Sequence, residues 1–237
     1  MSDLRPPSTY RPLPKELWGL VGVIALIEVV LSLADAGIIF DPSLRSRVFM
    51  AGAFWSRLLH GDAPLFAVQP FTMFVSHAFL HGSLLHMVMN MTILLALGRF
   101  TADHYGPRVI LPVFLISAVA GGAVFGLLAR GAYPMVGASG AVFGFLGLWI
   151  AWDWRRHRAL GLSVAPVLRR VAVLAVVNIV VYIGLKGLLA WQAHLGGFLA
   201  GLACGAWLDG RPAQDARISR AARRRADAGR TADDREP

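Results

Sequence analysis

Hydrophobic residues along this 237-residue chain occur in six long runs that are separated by short polar or glycine-rich segments. A helix needs about 20 mostly apolar residues to cross a bilayer, and most of the runs approach that length. The fourth and sixth runs are shorter, and both begin in polar, glycine-rich sequence. The pattern therefore predicts an all-α membrane protein with spans at roughly 17–39, 83–100, 107–129, 138–153, 168–188 and 190–208.

Positive charge is distributed unequally between the two sides of the predicted bundle. Six spans place both termini on the same side, and 18 of the 23 lysine and arginine residues then fall on that side. Cytoplasmic segments of membrane proteins carry an excess of lysine and arginine. The charge distribution therefore supports six spans and predicts that both termini are cytoplasmic.

The same pattern predicts three parts of the chain. A cytoplasmic segment, 1–16, precedes a six-span domain, 17–209, and a basic cytoplasmic tail, 210–237, follows it. The tail has almost no large apolar residues, cannot bury a core, and is predicted to be disordered. An outer loop, 41–70, contains the apolar stretch FMAGAFWSRLL (49–59), which is too short to cross a bilayer and predicts an interfacial helix.

Composition narrows the class of partner. The chain is 56% hydrophobic and 16% charged, with a formal net charge of +9. Its basic residues cluster at span ends and in the tail, whereas a nucleic-acid-binding surface needs them spread over a folded face. The expected partner is the lipid bilayer and not a nucleic acid, and no feature of the pattern predicts an oligomeric state.

Several polar residues lie within the apolar runs, where each is costly and suggests a function. Because the second, fourth and sixth spans all run inward, His86, Ser139 and His194 lie at a similar shallow depth below the outer surface. That common depth favours one shared site. Glu28, in the first span, is expected to pair with a neighbouring helix or to stay protonated. Asn178 and Tyr182, in the fifth, are expected to form interhelical hydrogen bonds.

Helical periodicity also predicts which of these residues share a helix face. His86 and Asn90 are four positions apart and share one face of the second span. Small residues every three or four positions let helices approach closely. Two such patches occur, one on the fourth span and one on the sixth: Gly140, Gly144 and Gly147, and Gly197, Gly201 and Gly205. Packing of the two patches would bring His194 close to Ser139.

This placement suggests nucleophilic catalysis. A serine hydroxyl is a weak nucleophile until a base removes its proton, and histidine suits that role. No acidic residue lies at the right depth, so the sequence favours a Ser139–His194 dyad over a triad. Acyl transfer also needs donors for the oxyanion. The candidates are the Ser139 backbone N–H, at a helix N-terminus, and the side chains of His86 and Asn90.

A metal or haem site is the first alternative, built on His77, His81, His86 and His194. Such a site needs two or more histidines that converge. On one continuous helix His77 and His86 would lie about half a turn out of phase, which disfavours this alternative. We therefore expect neither a metal ion nor a cofactor.

Three motifs in this order, HGSLLHMVMN (81–90), GASGAVFG (137–144) and AHLGGFLAG (193–201), resemble the rhomboid intramembrane serine proteases. The resemblance covers roughly residues 17–208 and implies a six-transmembrane-helix rhomboid bundle. It implies Ser139 as nucleophile, His194 as general base, and His86 and Asn90 as oxyanion donors. Supporting positions are His81, Gly137, Gly140, Phe143, Gly197 and Gly201. Phe143 stands where the family often has tyrosine, and it can still pack against His194.

The resemblance also implies a function. Rhomboid proteases cleave transmembrane segments of other proteins near their outer ends, and the fifth span and the loop after it are expected to admit the substrate. The Arg-rich and Ala-rich composition suggests a bacterial inner membrane, with the site opening to the periplasm. The second alternative is an inactive rhomboid relative that acts as a membrane chaperone or transport factor. Such relatives lose the serine or the histidine, and this chain keeps both.

Overall fold

A computed structural model describes residues 12–129 and 133–209 of the chain. Within those ranges the chain folds into eight α-helices, and the only β-type pairing among them is one bridge between Phe54 and Met135. This confirms the all-α fold class. The helices are α1 (Lys15–Asp35), α2 (Leu44–Gly52), α3 (Gln69–Ser76), α4 (Leu84–Tyr105), α5 (Ile110–Leu128), α6 (Ser139–Ala159), α7 (Ala165–Gly184) and α8 (Trp191–Asp209). Most of the N-terminal segment, 1–11, and the whole tail, 210–237, lie outside the described residues.

Six of these helices, α1 and α4 to α8, occupy the six predicted spans. Among the described residues, four segments are long and apolar enough to cross a membrane: α1, α4, α7 and Pro107–Leu128, which contains α5. The other two are less apolar, because the last turns of α6 are charged and α8 is rich in glycine. Both lie against other helices on most of their length, so they need less apolar surface toward lipid.

Four helix ends lie four or more residues from their predicted positions, among them those of α4, which continues to Tyr105, and of α7, which ends at Gly184. The first span was expected to reach residue 39, but α1 ends at Asp35 because Gly37 adopts a left-handed φ of 67° that closes the helix. The fourth span was expected to end at 153, but α6 continues to Ala159. The charge of Asp153 does not end the helix because this carboxylate pairs with Arg170 and His157.

The prediction of a single interfacial helix at 49–59 is wrong. Helix α2 ends at Gly52, the backbone is extended at Ala53, and a separate 3-10 turn follows at Ser56–Leu59. Between them Phe54 is fully buried, and its N–H and C=O bond Met135 at 2.9 Å each. Because Phe54 inserts into the protein, this part of the loop is held by the bundle.

Close backbone contacts hold α5, α6 and α8 together. A Cβ atom added at Gly197 would overlap the carbonyl oxygen of Gly140, and one added at Gly201 would overlap that of Gly144. On the α5 side, a Cβ atom at Gly121 would lie 2.9 Å from the carbonyl oxygen of Ala193. Only glycine permits this approach, and the contact places the first turn of α6 beside the first turn of α8.

Candidate active site

Ser139 and His194 lie at the adjacent N-terminal ends of α6 and α8. Ser139 is the first residue of α6, and its Oγ is 2.8 Å from Nε2 of His194. The serine is half-buried, and the histidine is only 5% exposed. A hydroxyl at hydrogen-bond distance from an imidazole nitrogen is the arrangement that nucleophilic catalysis requires.

Two further side chains contact the ring of His194. On its other edge, Nδ1 lies 2.9 Å from Oδ1 of Asn178, a residue of α7. Across its face, the ring of Phe143 stacks at a centroid distance of 4.2 Å and an interplanar angle of 8°. The histidine is therefore held by α6 and α7 although it belongs to α8. The sequence predicted an interhelical hydrogen bond for Asn178 but not its partner.

His86 reaches the loop that leads into α6. Its ring lies against Gly137, where an added Cβ atom would be 2.8 Å from Cε1 and 3.1 Å from Nε2. Gly137 also has a φ of 126°, which side-chain-bearing residues rarely adopt. Asn90 is buried one turn further along α4, and its Nδ2 donates to the His86 carbonyl at 3.0 Å. The structure thus brings His86 beside the serine loop and bonds Asn90 to its own helix.

Two backbone N–H groups fix the loop before Ser139. The N–H of Gly137 donates to the carbonyl of His77 at 3.0 Å, and that of Ala138 donates to Nε2 of His81 at 3.3 Å. Burial, assisted by the nearby His86, lowers the pKa of His81 to about 3, so its ring is neutral at pH 7 and can accept this bond. The N–H of Ser139 follows in the first helical turn, where backbone donors have no acceptor within the helix.

A buried ion pair supports the segment that carries His81. Glu28 of α1 is fully buried, and its two carboxylate oxygens accept from Nη1 and Nη2 of Arg45 at 3.0 Å each. Arg45 Nη1 also donates to the His81 carbonyl at 2.6 Å. Glu28 therefore pairs with α2 of the outer loop. The sequence analysis missed Arg45, because no local periodicity relates a loop arginine to a glutamate in a span.

An apolar cleft of about 410 Å³ separates α7 from α6 and α8, and His194 contributes to its wall. Asn178 and Tyr182 supply polar groups from the α7 side. The remaining lining residues are apolar: Phe143, Val171, Leu174, Ala175, Ile179, Trp191, Leu195 and Phe198. The cleft offers space beside the base for an apolar chain segment.

The prediction against a metal site placed His77 and His86 on one continuous helix, and the structure does not. Helix α3 ends at Ser76, a 3-10 turn covers His77–Phe79, and α4 begins at Leu84, so His77 and His86 do not share one helix. The rings of His81 and His86 lie 5.1 Å apart. In the described part of the chain, no three His, Cys, Asp or Glu residues group closely enough to hold a metal ion.

Comparison with known proteins adds the family. Residues 69–211 match the Rhomboid domain. Rhomboid-like protease 3 of Toxoplasma gondii is 27% identical over 189 residues, which cover 76% of this chain and 63% of the relative. RHOMBOID-like protein 5 of Arabidopsis thaliana is 32% identical over 142 residues, covering 58% of this chain and 44% of the relative.

A third relative, RHOMBOID-like protein 4 of Arabidopsis thaliana, is 34% identical over 134 residues, covering 56% of this chain and 33% of its own. The chain thus spans between about a third and just under two thirds of these relatives. The expectation of a bacterial source is not borne out by them. The domain match covers more than half of this chain, and the fold is a helical membrane bundle. The chain therefore belongs to the rhomboid family.

Proposed function

We propose that this chain is an intramembrane serine endopeptidase that cleaves transmembrane segments of other proteins near their outer ends. The observation that carries the proposal is the 2.8 Å separation between Ser139 Oγ and His194 Nε2, in a chain of the rhomboid family. Family membership alone does not distinguish proteases from inactive relatives. The juxtaposed hydroxyl and imidazole favour the protease.

In the proposed reaction His194 acts first as base and then as acid. As Ser139 Oγ attacks the substrate carbonyl, Nε2 takes the hydroxyl proton, and it then gives this proton to the departing amine. The acyl-enzyme ester is hydrolysed by water, with His194 taking a proton from the water and returning one to Oγ. The products are two peptide fragments and the unchanged enzyme, so the step needs no metal ion or redox partner.

Three donors are proposed for the developing oxyanion. The Ser139 N–H opens α6 and lies at the positive end of the helix dipole. His86 lies against Gly137, two residues before the nucleophile. An amide nitrogen carries two hydrogens, so Asn90 Nδ2 keeps a second one after donating to the His86 carbonyl.

The substrate class is inferred from the surroundings of the dyad. Rhomboid proteases act on membrane proteins within the bilayer, and the cleft beside His194 is almost entirely apolar. The excess of lysine and arginine on the side of the termini supports cytoplasmic termini and a site that opens toward the outer face. We therefore propose a multi-pass membrane enzyme whose substrates are transmembrane helices that enter from the lipid.

Cleavage of a single-span membrane substrate in proteoliposomes tests the proposal. The substrate carries a small residue and helix-destabilising sequence near its outer end. We expect wild-type protein to cleave it, and Ser139→Ala and His194→Ala each to lose about 10³-fold or more. Ser163→Ala removes an exposed hydroxyl before α7 and serves as the matched control, with activity close to wild type.

Two results would contradict the proposal. Cleavage at the wild-type rate by Ser139→Ala or His194→Ala would exclude the dyad. Absence of both cleavage and fluorophosphonate labelling of Ser139 in the wild-type protein would favour the inactive, chaperone-like or transport alternative.

A further inference from the structure

Asn178 of α7 occupies the edge of His194 that faces away from the nucleophile. Its Oδ1 lies 2.9 Å from Nδ1, while Nε2 on the opposite edge faces Ser139 at 2.8 Å. We propose that Asn178 is a positioning residue that holds His194 in the tautomer able to accept the serine proton. Through it, the competence of the base depends on the docking of α7. The inference rests on the proposed protease function.

The number of protons on the imidazole ring decides which nitrogen can act as a base. A neutral imidazole carries one N–H, and only the other nitrogen can accept a proton. When Nδ1–H donates to a carbonyl oxygen, Nε2 holds the lone pair and can act as a base toward Ser139. In the opposite tautomer Nε2–H faces the serine hydroxyl and cannot accept its proton. An acceptor beside Nδ1 therefore selects the reactive form, as the third member of a triad does.

The orientation of the His194 ring also depends on Asn178. Stacking on Phe143 holds the plane of the imidazole but leaves it able to turn within that plane. Hydrogen bonds at both edges, to Ser139 and to Asn178, remove this freedom. When the ring has its partner on α7, Nε2 stays directed at Oγ.

The position of Asn178 in α7 indicates that its hydrogen bond is specific. It lies in an otherwise apolar run, LAVVNIVV (174–181), where an unpaired amide would be costly in a bilayer. Of the residues of α7 only Val167, near its start, is buried. The hydrogen bond to His194 is thus a specific tie between a sparsely packed helix and the base. A displacement of α7 away from α8 would take the acceptor away from Nδ1–H.

A pair of substitutions tests the role. Asn178→Leu removes the acceptor and puts an apolar residue of similar size in the bilayer, so membrane insertion is not impaired. We expect kcat to fall about tenfold, the effect of losing one hydrogen bond, and KM to stay within about twofold. Asn178→Asp retains an acceptor oxygen and should restore most of kcat. Val180→Leu, at an exposed position of the same helix outside the cleft lining, is the matched control with wild-type kinetics.

The decisive readout is the tautomer of His194. It is measured by NMR of the full-length protein with ¹⁵N-labelled histidine and assigned by comparison with His194→Ala. The wild-type protein should show the Nδ1–H form, and Asn178→Leu should shift the population toward Nε2–H. A wild-type kcat in Asn178→Leu would overturn the proposal. So would an unchanged tautomer together with equal losses in Asn178→Leu, Asn178→Asp and Val180→Leu, because that pattern indicates only a helix contact.

Failure of the protease function would be seen separately. If the wild-type protein neither cleaves substrate nor reacts with a fluorophosphonate, the proposed function is wrong. The tautomer comparison needs no turnover, so it still decides whether Asn178 controls the proton on His194.

Discussion

Helices α7 and α8 both border the start of α6, where Ser139 lies, and each contributes one side chain to the hydrogen bonds that begin at this serine. Helix α8 supplies His194, and α7 supplies Asn178. Their packing differs strongly. Along α8 eight residues are buried, four of them glycines that lie against the backbone of neighbouring helices, whereas α7 buries Val167 alone.

The difference separates two tasks. Because the backbones of α6 and α8 touch at Gly140 and Gly197, main-chain positions fix the distance between Ser139 and His194. Helix α7 is held mainly by side chains: Arg170 pairs with Asp153 near its start, and Asn178 bonds the base further along. The proposed catalytic pair is therefore built on a close backbone contact, whereas α7 reaches it through the side chain of Asn178.

The largest effect should come from a single methyl group between α6 and α8. In Gly197→Ala the new Cβ atom would overlap the Gly140 carbonyl, so the helices must separate. We expect the free energy of unfolding to fall by about 1–3 kcal/mol and kcat/KM to fall about 100-fold, since small displacements of reacting groups are costly. Thermal unfolding in detergent and cleavage in proteoliposomes measure the two effects.

The matched control lies on the other helix. Gly184 ends α7, and nothing lies within 4 Å of a Cβ atom added there. Gly184→Ala should therefore leave stability and cleavage unchanged or raise stability by up to about 1 kcal/mol. Equal tolerance of both substitutions would contradict the contrast between the two helices.

An intermediate effect is expected at the start of α7. Arg170→Ala removes the partner of the buried carboxylate of Asp153, which keeps His157 at 3.3 Å. We expect a local loss of about 2 kcal/mol, so hydrogen–deuterium exchange should accelerate along α7 and stay unchanged in α8. Arg169→Ala, at the exposed neighbouring position, is the control. Equal acceleration in both helices would mean that they open as one unit.

Sequence patterns predicted the bundle well because a bilayer demands long apolar runs, and these are visible without tertiary information. The same logic of depth suggested that Ser139 and His194 share a level. It could also have found Asn178. This residue lies six positions before the end of α7, on the outer side in the predicted topology, and so close to the level of His194. Because the dyad was inferred from the lack of an acidic residue at this depth, the amide of Asn178 was not considered as a partner of His194.

Other features could not be read from the chain. The pairing of Phe54 with Met135 joins residues 81 positions apart, and the ion pair of Glu28 with Arg45 joins α1 to the short helix α2. Neither contact has a periodic signature, because both depend on how the loop folds back on the completed bundle. For the same reason the 49–59 stretch was taken for one continuous helix.

The smallest effect should come from loss of the aromatic ring that stacks on His194. Phe143→Leu removes the stacking on His194 but leaves both hydrogen bonds of the ring. An aromatic pair contributes about 0.5–1.5 kcal/mol, so kcat should fall about two- to tenfold, while Phe143→Tyr, which keeps the ring, should stay close to wild type. Because Phe143 belongs to α6, exchange along α7 should not change. Since Phe143 and Asn178 act on one imidazole, their Leu substitutions should combine less than additively in kcat. Strict additivity would show that the two contacts constrain His194 independently. Helices α6 and α7 would then not act jointly on this histidine.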